Sequence, residues 1–345
     1  MVQKLIAPTL AVAPMLDWTD RHCRYFHRLF TSETVLFTEM VTTGAIIYGK
    51  YDFLAFNPAE QPVVLQLGGS DPGAMAECAA RAYERGYAGV DINVGCPSDR
   101  VKNGSFGACL MADPEVVAAC IKAMRQAAPE LRISVKTRLG IDELDSDEFL
   151  YRFIDSISEA GSEHLTLHAR KAWLQGLSPK QNREIPPLQY ERVYQAKQRY
   201  PQLHMMINGG ITSASAIATH LEHVDGVMIG REAYQNPAFL GCFDELLTAP
   251  QHNPANEAAD FTFQAAAVEQ MIPYMQAHLE QGGRCWHVAR HMLGLFQGQP
   301  GAKRWRQWLS QQGPAAESAE QLLREGLALV LTAREDFDQK IVENT

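Results

Sequence analysis

The stretch DINVGCPSDR, residues 91–100, brings a single thiol, Cys96, to the end of an apolar run. Its lead-in, Gly89-Val90-Asp91-Ile92, reads as a buried strand that breaks at Asn93, Gly95 and Pro97. An ordinary thiol with a pKa of ~8.5 is mostly protonated at neutral pH, so Cys96 can donate a proton as well as attack an electrophile. A nucleophile with His168 as its base is the second chemistry open to it, and an inert buried thiol is the bland alternative. The polar, glycine-rich continuation from Ser98 to Gly107 reads as a lid.

Lys136 lies inside the run Ile133-Ser134-Val135-Lys136-Thr137-Arg138. An inward lysine is costly to desolvate unless it meets an anion or an electron-rich group. Either a Schiff base or the stabilisation of negative charge on a cofactor ring would use it. His168 and Gln66 end two other runs, and the Gln66 amide, donor and acceptor together, suits the edge of a planar heteroaromatic ring. Asn208-Gly209-Gly210 and Gly230-Arg231 end the last two runs, with Ser213 placed to open a helix. Glycines that expose backbone N–H groups, a helix N-terminus and a guanidinium form a phosphate cradle, so a phosphorylated cofactor or substrate is expected.

These residues need a frame that brings run-ends together. The strand candidates are 10–16, 35–41, 62–68, 89–95, 133–139, 164–169, 204–208 and 226–230, with helical spacing over 72–86, 114–127, 146–160 and 213–223. Asp113 and Ser213 are expected N-caps, and Pro114 suits a first helical position. Eight repeated β-α units predict an α/β fold, a (β/α)8 TIM barrel, whose active site lies at the C-terminal ends of the strands. Beyond Pro250, His252, Pro254 and Asn256 the pattern is helical only, over 261–280, 284–296, 303–311 and 317–340. The division expected is a barrel over 1–248 and a small C-terminal helical bundle over 249–345.

The seven cysteines form no C-x-x-C pair, which suggests reduced thiols, no zinc site and a cytoplasmic protein. No apolar run is long enough for a membrane span and no signal peptide is read. The net charge of −9 argues mildly against nucleic acid. Locally, however, Arg284, Arg290, Lys303, Arg304 and Arg306 lie between Glu280 and Glu317 with no acid among them, interleaved with Trp286, Trp305 and Trp308. That pattern suits an RNA backbone.

The segments APMLDWTDRHCR (13–24), TEMVTTGAI (38–46), QLGGSDP (66–72), NVGCPSDRVKNGSFGACLM (93–111), VKTRLG (135–140), HARKAW (168–173), NGGI (208–211) and GREAYQNP (230–237) together resemble the tRNA-dihydrouridine synthase family. ARKAWLQGLSPKQNREIPPL (169–188) and GLFQGQPGAKRWR (294–306) are similar to its A-type subfamily, which acts on D-loop positions 20 and 20a. The resemblance implies an FMN enzyme that uses NADPH to reduce the uracil C5=C6 bond. It implies that Pro14, Met15, Leu16, Gln66, Lys136, His168, Asn208, Gly209, Gly210, Gly230 and Arg231 hold FMN. Hydride would pass from reduced FMN N5 to uracil C6, and Cys96 would give the proton to C5. Asn93 and Arg138 would meet the nucleotide, and Lys180, Arg183, Lys303 and Arg304 would meet tRNA, with Lys171 in support. No metal and no membrane are expected, and the chain is expected to act as a monomer. A Schiff-base barrel aldolase built on Lys136, or a non-catalytic tRNA-binding protein, is the alternative.

Overall fold

The computed structural model describes residues 9–98, 106–248 and 260–343. The expected lid lies mostly, and the expected linker at 250–256 wholly, outside the described residues.

Eight strands, β1 (Thr9–Val12), β2 (Val35–Thr42), β3 (Val63–Gly68), β4 (Gly89–Val94), β5 (Ile133–Arg138), β6 (His164–His168), β7 (His204–Asn208) and β8 (Gly226–Ile229), close into one barrel in sequence order. Every pairing is parallel, and β8 returns to β1 through Thr9↔Gly226 to Val12↔Ile229. This is the TIM barrel that eight β-α units predict. Strand alternation sorts the side chains. Val90 and Ile92 of β4, like Leu65 and Leu67 of β3, are fully buried, while Asp91, Asn93 and Gln66 alternate with them and bond one another inside the barrel.

The interior is chemically divided. Ala11, Ala13, Val35, Phe37, Val64, Met206 and Met228 form an apolar cluster from β1, β2, β3, β7 and β8. Facing it is a polar arc from β3 to β7: Gln66, Asp91, Asn93, Ser134, Lys136, Arg138, Thr166, His168 and Asn208. An apolar half packs without hydrogen-bond demands, whereas every member of the polar half needs a partner or a ligand.

The outer helices begin as their sequence signals require. Asp71, Ser146 and Ser213 cap helices Pro72–Glu84, Asp147–Glu159 and Ala214–Leu221 by accepting from Ala74, Phe149 and Ala216 N–H. Asp113 does not behave as expected: its ψ of 61° is outside the extended region an N-cap needs, and its side chain caps nothing.

The chain forms two compact units, one made of the barrel up to Thr19 with Glu33–Gly230, the other of Asp20–Ser32 with the chain from Arg231 onward. In this division the chain passes from one unit to the other at Gly230/Arg231, ahead of the expected border at 248/249. Helix Arg21–Arg28 belongs to the helical unit because Asp20, its N-cap, accepts from Arg290 Nη2 at 2.6 Å and His291 Nε2 at 3.0 Å. The expected helix 284–296 is only Cys285–Ala289. Beyond it the chain turns, and Gly294 lies so close to the Gln235 carbonyl that a Cβ would stand 2.1 Å from its oxygen. Helices Phe261–Glu280, Ala302–Gln312 and Ala319–Glu343 complete the unit. Among the described residues no helix is long and apolar enough to cross a membrane.

Candidate active site

At the C-terminal end of the barrel, β3, β4 and β5 build one hydrogen-bonded polar ladder. Ser134 Oγ donates to Asp91 Oδ1 at 2.7 Å, and Gln66 Nε2 donates to Asp91 Oδ2 at 2.7 Å. Asn93 Nδ2 donates to Gln66 Oε1 at 2.8 Å. Asn93 Oδ1 then accepts from Gly95 N–H at 3.1 Å and Cys96 N–H at 3.0 Å. The half-buried Cys96 Sγ donates to Ser98 Oγ at 3.3 Å. The turn that carries the thiol is thus fastened to the barrel interior.

Beside the ladder, Lys136 Nζ donates to Asn208 Oδ1 at 3.2 Å, and Asn208 Nδ2 donates to the Met228 carbonyl at 2.8 Å. An ammonium has three donors, and one hydrogen bond leaves two available to a ligand. Burial pushes the Lys136 pKa down to about 8, and the Arg138 charge adds to this, while Asp91 and Cys96 pull the other way. Burial pushes Asp91 up to about 6, against the Gln66 and Ser134 hydrogen bonds and the Lys136 charge. His168 is held well below the ordinary range, first by burial and then by Arg138 and Lys136, so its imidazole is neutral at pH 7. Thr166 pairs in register with Lys136, and its buried hydroxyl has no protein partner.

Arg138 is buried and spends its guanidinium on carbonyls: Nε on Gly95 at 2.8 Å, Nη1 on Lys171 and Asn182 at 3.2 Å each. It joins the turn bearing Cys96 to the loop that follows β6. Asn182, which sequence reasoning missed, organises that loop by donating to the Trp173 carbonyl at 2.9 Å and accepting from Trp173 N–H at 2.7 Å. Lys180 and Arg183 flank it and are exposed. Lys171 is half-buried, 3.5 Å from Asp145 and 4.2 Å from the centre of the Trp173 ring.

After β7, Gly209 and Gly210 have φ of +122° and +71°, a region in which side chains are strained. A Cβ at Gly209 would stand 2.7 Å from the His168 ring. At Gly230 a Cβ would make only an ordinary contact, with the Ala13 Cβ at 3.9 Å. Arg231 opens the short helix Arg231–Gln235. At the end of β1, Pro14 and Met15 are half-buried and Leu16 is 53% exposed. Strands β3 to β7 thus carry Gln66, Asn93, Lys136, Arg138, His168 and Asn208, with Cys96 in the turn after β4.

In the helical unit, Lys303, Arg304 and Arg306 are exposed. Arg304 approaches Asp336 at 3.4 Å, a carboxylate from a later helix. The expected aromatic interleaving is corrected. Trp305 is wholly buried with Nε1 on the Met292 carbonyl at 2.8 Å, and the half-buried Trp308 donates to the Leu322 carbonyl at 2.8 Å. Both are packing residues, and the exposed face is basic without them.

A parallel (β/α)8 barrel with a polar arc, a thiol-bearing turn and a glycine cradle at the strand ends defines the architecture of a barrel enzyme. Residues 11–330 match the family model described as dihydrouridine synthase, and the chain belongs to that family. It is 57% identical over 303 residues to the tRNA-dihydrouridine(20/20a) synthase of Shewanella oneidensis, covering 88% of each chain. It is 55% identical over 322 residues to the enzyme of that name from Vibrio parahaemolyticus, covering 93% of this chain and 96% of that one. With the Escherichia coli K12 enzyme of that name it shares 54% over 325 residues, covering 94% and 92%. Among solved structures, a 2-naphthoyl-CoA reductase complex is similar at a TM-score of 0.52 and 10% identity, covering 68% of this chain and 50% of that one, a likeness of fold.

Proposed function

We propose that this chain is an oxidoreductase that reduces uridine to 5,6-dihydrouridine in the D-loop of tRNA, at positions 20 and 20a, with FMN in the barrel mouth and NADPH as reductant. The observation that carries the reading is 54–57% identity, over most of both chains, to curated enzymes named for that reaction. Family membership sets aside the aldolase alternative for Lys136.

The residues present fit a flavin phosphate. Gly209 and Gly210 offer backbone where a Cβ would strike the His168 ring or Leu188, and Gly230 brings its backbone to the end of β8 without a side chain. The two available Lys136 donors, the Gln66 amide and the neutral His168 ring supply the cation and the hydrogen-bonding edges that an isoalloxazine needs. Pro14, Met15 and Leu16 would line it, Asn208 would hold Lys136, and Arg231 would add charge at the phosphate. When bound, FMN supplies the hydride that ends on uracil C6.

The protein's own residues do the rest. Cys96 Sγ delivers its proton to C5, a general-acid step. Asn93, whose amide fastens the Cys96 turn, and Arg138 face the nucleotide. Lys136 is partly relieved of its charge by burial, yet at pH 7 it remains mostly protonated, so it steadies negative charge beside it. The target base must leave its stack, at a cost of a few kcal/mol. Lys180, Arg183, Lys303 and Arg304 hold the tRNA backbone to offset that cost.

The test is to map dihydrouridine in tRNA from cells lacking this protein. Loss at positions 20 and 20a, restored by the wild-type chain, is expected. An unchanged dihydrouridine map would overturn the assignment.

A further inference from the structure

Asp91 is a fully buried carboxylate in β4 that touches neither Cys96 nor open space. Its neighbours Gln66 and Asn93 are primary amides, each able to turn over and exchange donor for acceptor at almost no intrinsic cost. An ionised carboxylate accepts only. Gln66 must therefore present its NH2 group to Asp91 Oδ2, at 2.7 Å. That choice leaves Gln66 Oε1 facing Asn93, which must answer with Nδ2 at 2.8 Å. Asn93 Oδ1 is then directed at the backbone N–H groups of Gly95 and Cys96. Turning either amide over would set like against like inside the barrel and leave buried hydrogen-bonding groups unmet.

We propose that Asp91 is a positioning residue: it anchors, inside the barrel, the Gln66–Asn93 amide ladder whose polarity the Gly95 and Cys96 N–H groups demand at the other end, and thereby fixes the turn that aims the Cys96 thiol. The inference rests on the reading of Cys96 as the proton donor, yet its structural part, the placement of the thiol, can be read without turnover. Asp91 also lowers the cost of a buried cation at Lys136, so two roles must be separated, ladder anchoring and charge.

Two variants separate them. Asp91→Asn removes the charge and keeps the ladder, because its carbonyl oxygen can take the Gln66 N–H while its NH2 group faces Ser134 Oγ, a hydroxyl that accepts as well as donates. Asp91→Leu keeps similar bulk and removes every acceptor. On the full-length, FMN-loaded protein, three quantities are measured: the iodoacetamide alkylation rate of Cys96, resolved by peptide mass with half-buried Cys109 as internal reference; kcat and KM for unmodified tRNA; and the circular-dichroism melt.

For Asp91→Leu, Cys96 alkylation is expected to change at least about fivefold against Cys109, and kcat to fall at least about tenfold at nearly constant KM, the pattern of a lost transition-state interaction. For Asp91→Asn both are expected within about threefold of wild type, since the ladder survives. Wild-type behaviour of Asp91→Leu in alkylation and kcat would overturn the proposal. Asp91→Asn as impaired as Asp91→Leu would also overturn it, assigning the effect to charge. If Asp91→Leu fails to fold, Gln66→Leu, which cuts the ladder one step later, is read by Cys96 alkylation alone, because Gln66 also meets the flavin: a change of at least about fivefold against Cys109 is expected, and a wild-type rate would overturn the proposal. Failure of the functional reading looks different: the wild type itself would form no dihydrouridine.

Discussion

Replacing Lys136 with Met should strengthen the fold at neutral pH while removing function. Burial lowers the Lys136 pKa from 10.5 to about 8. For such a group the unfolded chain holds more protons between those two values, so its contribution to stability rises as pH climbs from about 8 towards 10.5 and is lost below that window. At pH 7 the charged amine therefore weakens the apoprotein by on the order of 3 kcal/mol at most, taking about 1.4 kcal/mol for each pH unit between the two values. Met is of similar length and opens little cavity. It does leave Asn208 Oδ1 without its 3.2 Å partner, which costs roughly 1 kcal/mol. Asp91 also loses the Lys136 charge that holds its pKa down, which trims the gain. The balance is a gain of at most about 1–2 kcal/mol at pH 7, turning to a loss of about 1 kcal/mol near pH 10.5, where the wild-type amine is neutral. Urea unfolding of flavin-free wild type and Lys136→Met at both pH values measures it, with turnover on tRNA followed in parallel. A variant that is less stable at pH 7, or whose difference from wild type does not change with pH, would refute this account of a cation held in the barrel against its solvation.

Trp305→Ala should destabilise the helical unit by about 3–5 kcal/mol, because a wholly buried indole that donates to Met292 is removed; differential scanning calorimetry reads it. Asp20→Ala should cost the same unit about 2 kcal/mol or more, since an N-cap carboxylate and the partner of Arg290 and His291 disappear together; urea unfolding measures it. Burial raises the Asp20 pKa, but hydrogen bonding and charge from His291, with the Cys23 N–H, overcome it and leave the group far below the usual carboxylate range. Its contribution is therefore complete above about pH 4 and fades as the medium becomes more acid, which a pH series of the same unfolding curves would reveal. Charge reversal at Arg304 and Arg306 should weaken tRNA binding by about tenfold or more and flatten its salt dependence, as filter binding at several ionic strengths would report.

The barrel was legible because its signals are short-range. Parallel strands buried on both faces read as apolar runs, and the glycines at 209 and 210 mark where the chain must turn. Most of the reactive residues were legible because they end such a run, and Lys136 because a cation inside one is costly to bury. Asp91 was not: within Gly89-Val90-Asp91-Ile92 it looks like an interruption, and its role depends on Gln66 and Ser134 from two other strands. Helix Arg21–Arg28 was missed for a related reason. RHCRYFHR reads as a charged surface, yet His22, Arg24 and His27 are buried within a unit whose other members lie more than 200 residues away. Trp305 was misassigned because its neighbours at 303, 304 and 306 are exposed cations, and the position of one residue on a helix decides between solvent and core.

The central claim is that the thiol at the barrel mouth protonates a uracil as it is reduced. Chemically reduced, FMN-loaded wild type and Cys96→Ala are mixed anaerobically with unmodified tRNA, and flavin reoxidation is followed by absorbance, with dihydrouridine counted by mass. The account predicts normal flavin and tRNA binding by the variant, with single-turnover reoxidation slowed by about 10²-fold or more, the usual scale of a lost general acid. Equal reoxidation rates and equal dihydrouridine yields in the two proteins would contradict it.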